Sequence, residues 1–395
     1  MEETRPAGKR EEINCQNRQK RWIVRGSIAA IAVCAVLVFL IFTWINRTFS
    51  DYRVLAETAV AGREMDFCLG KDVLLLCGND GAKALTEEGK IKWEMSYQLD
   101  NPEIVYCNEV AAVADIGGTS VYIVAENGIP YTYQVLYPIV RHEVAKQGVT
   151  AVLLDNDTED FIQLYDINGN LRVDINTKAK TDGIPIDIAL SEDGQKLVTL
   201  YVTFQGNSIY SKVTFYNVGE VGKNYLGNIV GQKSFDENIL VYDVGFLSEN
   251  YIYVLRENGF AIYYMREIPE LVCERTTENE ILDVEVTEKG IYLVEQEMTG
   301  QKKLCYYPVK GAGEKTWATV PEYERMTATE EEVIFFSPQN VTIYRANESL
   351  KFDRTFQKTL AGIFPLGGNR YFLIQAGKVQ TIKLTKNQQE EGESE

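Results

Sequence analysis

The chain has 395 residues, 45% hydrophobic and 25% charged, the composition of a folded protein rather than a disordered or collagenous one. With 57 acidic against 40 basic residues its formal net charge is −17, which argues against nucleic acid as a partner because phosphate binding needs a positive surface. The single histidine, His142, excludes chemistry that needs two, such as histidine-based zinc sites and facial-triad iron, and any Ser–His–acid triad would have to be built on it.

Residues 1–25 form a basic tail too short to fold alone. From Gly26 to Ile45 run twenty consecutive uncharged residues, GSIAAIAVCAVLVFLIFTWI. At 1.5 Å per residue such a helix is about 30 Å long, the thickness of a bilayer core. Trp22 and Trp44 stand near its ends, where amphipathic rings prefer the interface. The run is too long for a cleaved secretory signal and ends in bulky Phe42, Thr43, Trp44 and Ile45. Cys34 follows Val33 rather than a small residue, so the segment does not read as a lipoprotein signal either. A transmembrane anchor over 26–45 is the expectation. Six Lys/Arg lie in residues 6–25 and three in 46–65, so the positive-inside rule places the N-terminus in the cytoplasm. The remainder of the chain, with 33 basic and 53 acidic residues, would lie outside as a single-pass, cell-membrane protein.

After a short linker, 46–51, the periodicity changes to alternation. Apolar runs rich in Val, Ile, Tyr and Phe are separated by turn signals such as Asn79-Asp80-Gly81, Asn127-Gly128, Asn168-Gly169 and Asn258-Gly259. The domain over 52–385 is therefore all-β, followed by an acidic tail, 386–395, that is expected to be disordered. The hairpins group into units beginning near Met65, Glu103, Ile139, Ile184, Leu240, Ile281, Glu324 and Leu360. Their mean spacing of roughly 42 residues is that of four-stranded β-propeller blades. The last unit has three strands, and the strand-like segment Tyr52–Val60 has no partner near it, so the two are expected to join and close the ring. Eight blades is the expectation and seven the alternative.

ALTEEGKIKW (Ala84–Trp93) resembles the A-L-x-x-x-G-K-x-x-W motif of quinoprotein-like propellers, and IALSEDGQKLVTLY (Ile188–Tyr201) resembles the S-x-D-G-x-x-L segment of WD-repeat-like propellers. The layout of basic tail, anchor and acidic propeller resembles the membrane-anchored propeller proteins of Gram-positive bacteria, which implies a location more than an activity.

Aligning the innermost strands places Asp66, Val105, Arg141, Asp187, Asp243, Asp283, Arg325 and Gly362 at one depth of the central channel. The charged six, Asp66, Arg141, Asp187, Asp243, Asp283 and Arg325, either form a polar mouth for a cation or zwitterion or cap backbone amides of neighbouring blades. Asp155–Asp160 resembles a calcium loop at three positions but lacks its glycine and final Glu, and reads better as a solvated hairpin tip. Cys68 and Cys107 fall at matching places in that alignment, so a bridge is conceivable; burial in apolar runs is the simpler reading for all five cysteines beyond the anchor. His142 beside Glu143 offers an acid–base pair without any nucleophile motif. The hairpin Leu197–Tyr216, turning at Gln205–Ser208, is longer than the others and offers a strand edge to a partner.

Together these features point to a non-enzymatic membrane-tethered propeller that binds an envelope or membrane protein as a scaffold or assembly factor, touching the bilayer through 26–45 and needing no cofactor. A sensor or carrier for a small ligand, glycan or cation in the funnel is the alternative. A quinoprotein dehydrogenase lacks its adjacent-cysteine and calcium signatures here, and Ser191-Glu192-Asp193-Gly194 does not match the sialidase box S-x-D-x-G-x-T-W.

Overall fold

A computed structural model describes residues 45–60, 66–125, 128–156, 158–237, 239–310, 313–317 and 320–386, together with Cys34, Val36, Leu37, Phe39, Phe42 and Thr43. Among the described residues, 32 strands form eight four-stranded antiparallel sheets, each built from consecutive strands except the last. The innermost strands begin within a residue of the units read from the sequence: Asp66–Leu69, Pro102–Cys107, Ile139–Val144, Ile184–Leu190, Val241–Ser248, Glu280–Thr287, Arg325–Ala328 and Leu360–Pro365, in blades one to eight.

The second strand of each blade is covered on both faces by its neighbours, which is why it is rich in consecutive apolar residues, as in VLLLCG (Val73–Gly78) or the VIFF of residues 333–336. Alternate side chains point into opposite inter-blade spaces. Leu75 joins Trp93, Ile104 and Val113 between blades one and two, whereas Leu74 and Leu76 join Phe372 and Ile374 between blades one and eight. Eight such clusters, one per seam, hold the ring, and the seam between blades eight and one decides for eight blades over seven. Each large side chain buried in a seam stabilises the fold by roughly 1.5–3 kcal/mol.

The ring closes as the unpaired segment required. Asp51–Ala59 pairs with Lys378–Thr385 and becomes the outer strand of blade eight. Lys378 Nζ lies 2.7 Å from Glu57 Oε2 across this join.

Strand direction gives the disc two unlike faces. Innermost strands start at one face, here called the mouth, which also carries the turns between second and third strands. The opposite face, the base, carries the turns between third and outer strands. Asp51 begins an outer strand and so enters at the base. There Asn46 Oδ1 accepts hydrogen bonds from Asn347 Nδ2 (2.7 Å) and Ser349 Oγ (3.2 Å), in the turn before the outer strand of blade seven. The Phe49 amide donates to the Lys351 carbonyl at 2.9 Å, and its ring is buried in the seam between blades seven and eight.

Most of the expected anchor, 26–45, lies outside the described residues, as do residues 1–25 and 387–395. Among the described residues no helix is long and apolar enough to cross a membrane.

Blade four departs from the common pattern at both faces. Its second and third strands, Lys196–Gln205 and Ser208–Asn217, have ten residues each, and the hairpin turns at the mouth with Gly206 at φ 64°. Its outermost connection at the base, 218–228, holds two 3-10 turns and presents Leu226 almost fully to solvent.

Candidate functional site at the channel mouth

The ring residues follow from register. In every blade the first hairpin closes on two facing residues, and the fourth residue beyond that point on the second strand faces the ring position. Leu153, Leu200, Leu255 and Val294 thereby face Arg141, Asp187, Asp243 and Asp283. In blade two the closing pair is Cys107 and Val110, so Ala114 faces Glu103. Val105 is thus not a ring residue: Glu103 stands there, and Val105 sits two residues deeper. The turn Asn108-Glu109 misleads because its only signature is the left-handed Asn108, at φ 55°, with no glycine or proline to mark where the strand ends. The same correction separates Cys68 from Cys107, and both are free thiols.

In blades three, four, five, six and eight the register shifts directly before the ring residue. A bulge bends the strand and re-aims the next side chain, so the ring rests on a repeated backbone device.

The ring does not form a single site. Glu103, Arg141, Asp187 and Asp243 come from consecutive blades and interact. Arg141 Nε lies 3.9 Å from Asp187 Oδ1. Asp187 Oδ2 accepts the Val244 amide of the next blade at 3.2 Å, the capping role open to an aspartate here. Burial, then the Asp243 charge, raises the Asp187 carboxyl to about 7. Burial also raises Asp243, while hydrogen bonds from Tyr253 and Asp187 oppose the rise. Glu103 is raised by burial, and Arg141 pulls it back down.

A second tier lies two residues deeper, and Glu143 belongs to it. Burial first, then Asp187, Glu103 and Asp243, push its carboxyl up to about 8. Tyr253 enters the same tier from the second strand of blade five, directly opposite Gly245. A Cβ on Gly245 would stand 2.3 Å from the Tyr253 hydroxyl, so the glycine is what lets the phenol reach the channel. Across the ring Glu285 is raised to about 8 by burial and then by Asp283, whose own carboxyl accepts a hydrogen bond from Tyr323. Alternation makes Glu143 and Glu285 findable from Arg141 and Asp283; Tyr253 depends on cross-strand register and carries no such signal.

Arg325 stands apart from both groups, and with Asp66, whose charge also raises Glu103, it lines a cavity at the mouth between blades seven and one. Each of Asp66 and Asp283 accepts the amide of the following residue at 2.9 Å.

His142 does not work with Glu143. Alternation sends it into the seam, where it is 1% exposed, Nε2 lies 3.4 Å from the Ala112 carbonyl and burial lowers its pKa to about 4. Burial pushes the thiols of Cys68, Cys77 and Cys107 up to about 11, away from the reactive thiolate. In the acidic loop Asp157 lies outside the described residues, and Asn156 Oδ1 closes the turn by accepting the amides of Thr158 and Glu159 at 3.1 and 2.8 Å. Among the described residues no group of three His, Cys, Asp or Glu side chains is placed to hold a metal.

The two sequence motifs are structural. Ser191 Oγ donates to Asp193 Oδ1 at 2.6 Å and accepts the Lys196 amide at 2.9 Å, locking the first turn of blade four. Gly89, at φ 74°, turns the chain toward Trp93, which packs in the seam between blades one and two.

Similar architecture occurs in solved structures. BamB from Moraxella catarrhalis is 11% identical, with 85% of this chain and 99% of that one covered and a TM-score of 0.51. A eukaryotic initiation factor is 12% identical over 83% of this chain and 84% of that one, with a TM-score of 0.50. The WD40 domain of SCAP from fission yeast is 9% identical over 84% of this chain and 94% of that one, with a TM-score of 0.49. At such identities the likeness concerns the fold. No curated protein matches the chain in sequence. A family model does match, over residues 45–384, the whole propeller and the segment that leads into it: the chain belongs to the family of unknown function DUF5711.

Proposed function

We propose that this chain is a non-catalytic propeller, tethered to the cell membrane through 26–45, that binds a protein partner of the envelope at its mouth as a scaffold or assembly factor. The observation that carries the reading is the separation of the two faces. The chain enters the disc at the base, where Asn46 and Phe49 are fixed to blade seven. The long hairpin of blade four projects at the mouth with Phe204 63% exposed near its tip. An anchor at 26–45 would turn the base toward the bilayer and leave the mouth free. The buried His142 and the raised thiols support a binding role over catalysis.

The test is site-specific photocrosslinking in cells, with the probe at Phe204 or at Leu226 on the opposite face. A discrete adduct with one protein from Phe204, absent from Leu226 and lost when 203–210 is shortened, is the expected result. Adducts from Leu226 alone, or none from either position, would overturn it. Fractionation with protease protection tests the tether separately: the propeller should sediment with membranes and be cut only from the outer side.

A further inference from the structure

The base carries a cavity of about 490 Å³ between blades seven and eight, where the chain enters the disc. Ile45 and Phe49 give it an apolar side, and Arg47, Arg345 and Lys351 bring three cations to it. Two carboxylates line it as well. Glu332 is committed to Lys351 and to the Tyr371 hydroxyl, and Glu331 is exposed. The described lining therefore keeps a net positive charge in a chain whose formal charge is −17.

Arg345 is the incomplete part of this lining. It is half-buried, and its partners are the Ser349 hydroxyl at 3.2 Å and the carbonyls of Leu350 and Arg47 at 3.1 and 2.5 Å. Among the described residues its Nε–H and one N–H of Nη2 are unbonded, and no carboxylate lies within ion-pair distance of it. Burial lowers the pKa of this guanidinium, and the nearby Arg47 charge lowers it further, against the pull of Tyr371 and Glu332. Arg47 is itself held over the Phe49 ring, with Cζ 5.0 Å from the centroid. Two like charges held together in a half-buried place are unfavourable until an anion joins them.

The position along the chain says which anion. The last turn before the base is helical, with the Asn46 amide donating to the Phe42 carbonyl at 3.0 Å. Arg47 is two residues past the apolar run, about 3 Å beyond the hydrocarbon at 1.5 Å per residue, and the headgroup layer is roughly 5–7 Å deep on each side. Lipid phosphates lie in that layer, and the bond from Arg345 to the Arg47 carbonyl puts both guanidiniums at its depth.

We propose that this cavity binds the phosphate of an anionic phospholipid in the leaflet that the base faces. Arg345 and Arg47 hold the phosphate oxygens, and an acyl chain runs past Ile45 beside the anchor. A headgroup with a cation of its own fits poorly among three others, which favours phosphatidylglycerol over phosphatidylcholine. The inference rests on the tether at 26–45.

The experiment is thermal unfolding of the full chain in dodecyl maltoside with dioleoyl-phosphatidylglycerol, dioleoyl-phosphatidylcholine, dioleoylglycerol or inorganic phosphate up to about 10 mM, since a ligand of the native state raises Tm by mass action. Phosphatidylglycerol should raise Tm saturably, with each of the other three binding at least tenfold more weakly and Arg345→Gln abolishing the shift. Should that variant not fold, Arg47→Gln, which keeps the carbonyl that Arg345 bonds, should weaken binding at least tenfold. No shift with phosphatidylglycerol, an equal shift with phosphatidylcholine or dioleoylglycerol, or a shift that survives these substitutions would each overturn the proposal. An equal shift with inorganic phosphate would show a free-anion site and overturn the lipid. Alkaline washing of membranes separates this from the tether. Release of the chain would overturn both readings, whereas a retained chain without the phosphatidylglycerol shift would overturn the lipid site alone.

Discussion

The two sides of the ring treat charge in opposite ways. From blade two to blade five, Glu103, Glu143, Asp187 and Asp243 crowd one another in a largely buried arc, and Arg141 alone opposes them. From blade seven to blade one, the exposed Glu324, Arg325 and Asp66 line an open cavity together with Lys378. Burial beside like charge favours the neutral acid, which raises all four carboxyls of the arc, Asp187 to about 7 and Glu143 to about 8. Counting acidic residues around a channel therefore says little about its field until burial is known.

The largest effect should come from the seam that frames the open side. Glu332 and Lys351 form an ion pair there, 4% and 5% exposed, and the buried Tyr371 hydroxyl donates to Glu332 at 2.9 Å. Glu332→Ala would leave an ammonium buried without its partner, at a cost of roughly 3–5 kcal/mol. Urea unfolding measures it, and Glu332→Ala combined with Lys351→Met should recover most of the loss. A cost under about 1 kcal/mol would mean that water reaches the seam and that the open side is looser than the arc.

Next in size is the pH dependence of the arc. Asp187, at about 7, and Glu143, at about 8, sit above the ordinary carboxylate values of about 3.9 and 4.3. The native state then holds more protons than the unfolded chain between those limits. The stability they contribute is fully present below about pH 4 and is lost as pH rises through about 7 to 8. Each group adds a slope of up to about 1.4 kcal/mol per pH unit in that window. Asp187→Asn with Glu143→Gln should flatten the curve between pH 5 and 8. An unchanged slope would mean that the arc carboxyls are solvated and ionised, and the contrast between the two sides would vanish.

Much of the architecture was legible because propeller blades are local. Alternation, Asn-Gly turns such as Asn168-Gly169 and the unpaired segment before Met65 determine strands, unit length and the closing of the ring. The ring itself was legible wherever a turn signal marks the strand end, and it failed in blade two, where Asn108-Glu109 gives almost none. The grouping of ring residues was not legible. Whether Asp187 meets Arg141 or Asp66 depends on seam packing and on bulges, which leave no mark in single-strand periodicity. Glu143 and Glu285 could have been found by stepping two residues along strands already aligned. Tyr253 could not, because its place depends on a glycine across the strand.

The smallest effect is the most discriminating. The Arg141–Asp187 contact is 3.9 Å long and the arginine is half exposed, so Arg141→Gln should cost less than about 1 kcal/mol in unfolding. Its signature should lie in the pH dependence. Arg141 lowers both Asp187 and Glu103, so its removal should raise both carboxyls further. The cost should then be near zero at pH 5, where Asp187 is protonated and has nothing to offer the guanidinium. It should grow above pH 8, where the carboxylate has formed. The midpoint of the stability loss should move to higher pH at the same time. An equal cost at pH 5 and pH 9 would show that Arg141 acts through packing, and the arc would then be governed by burial and carboxylate crowding with no counter-charge taking part.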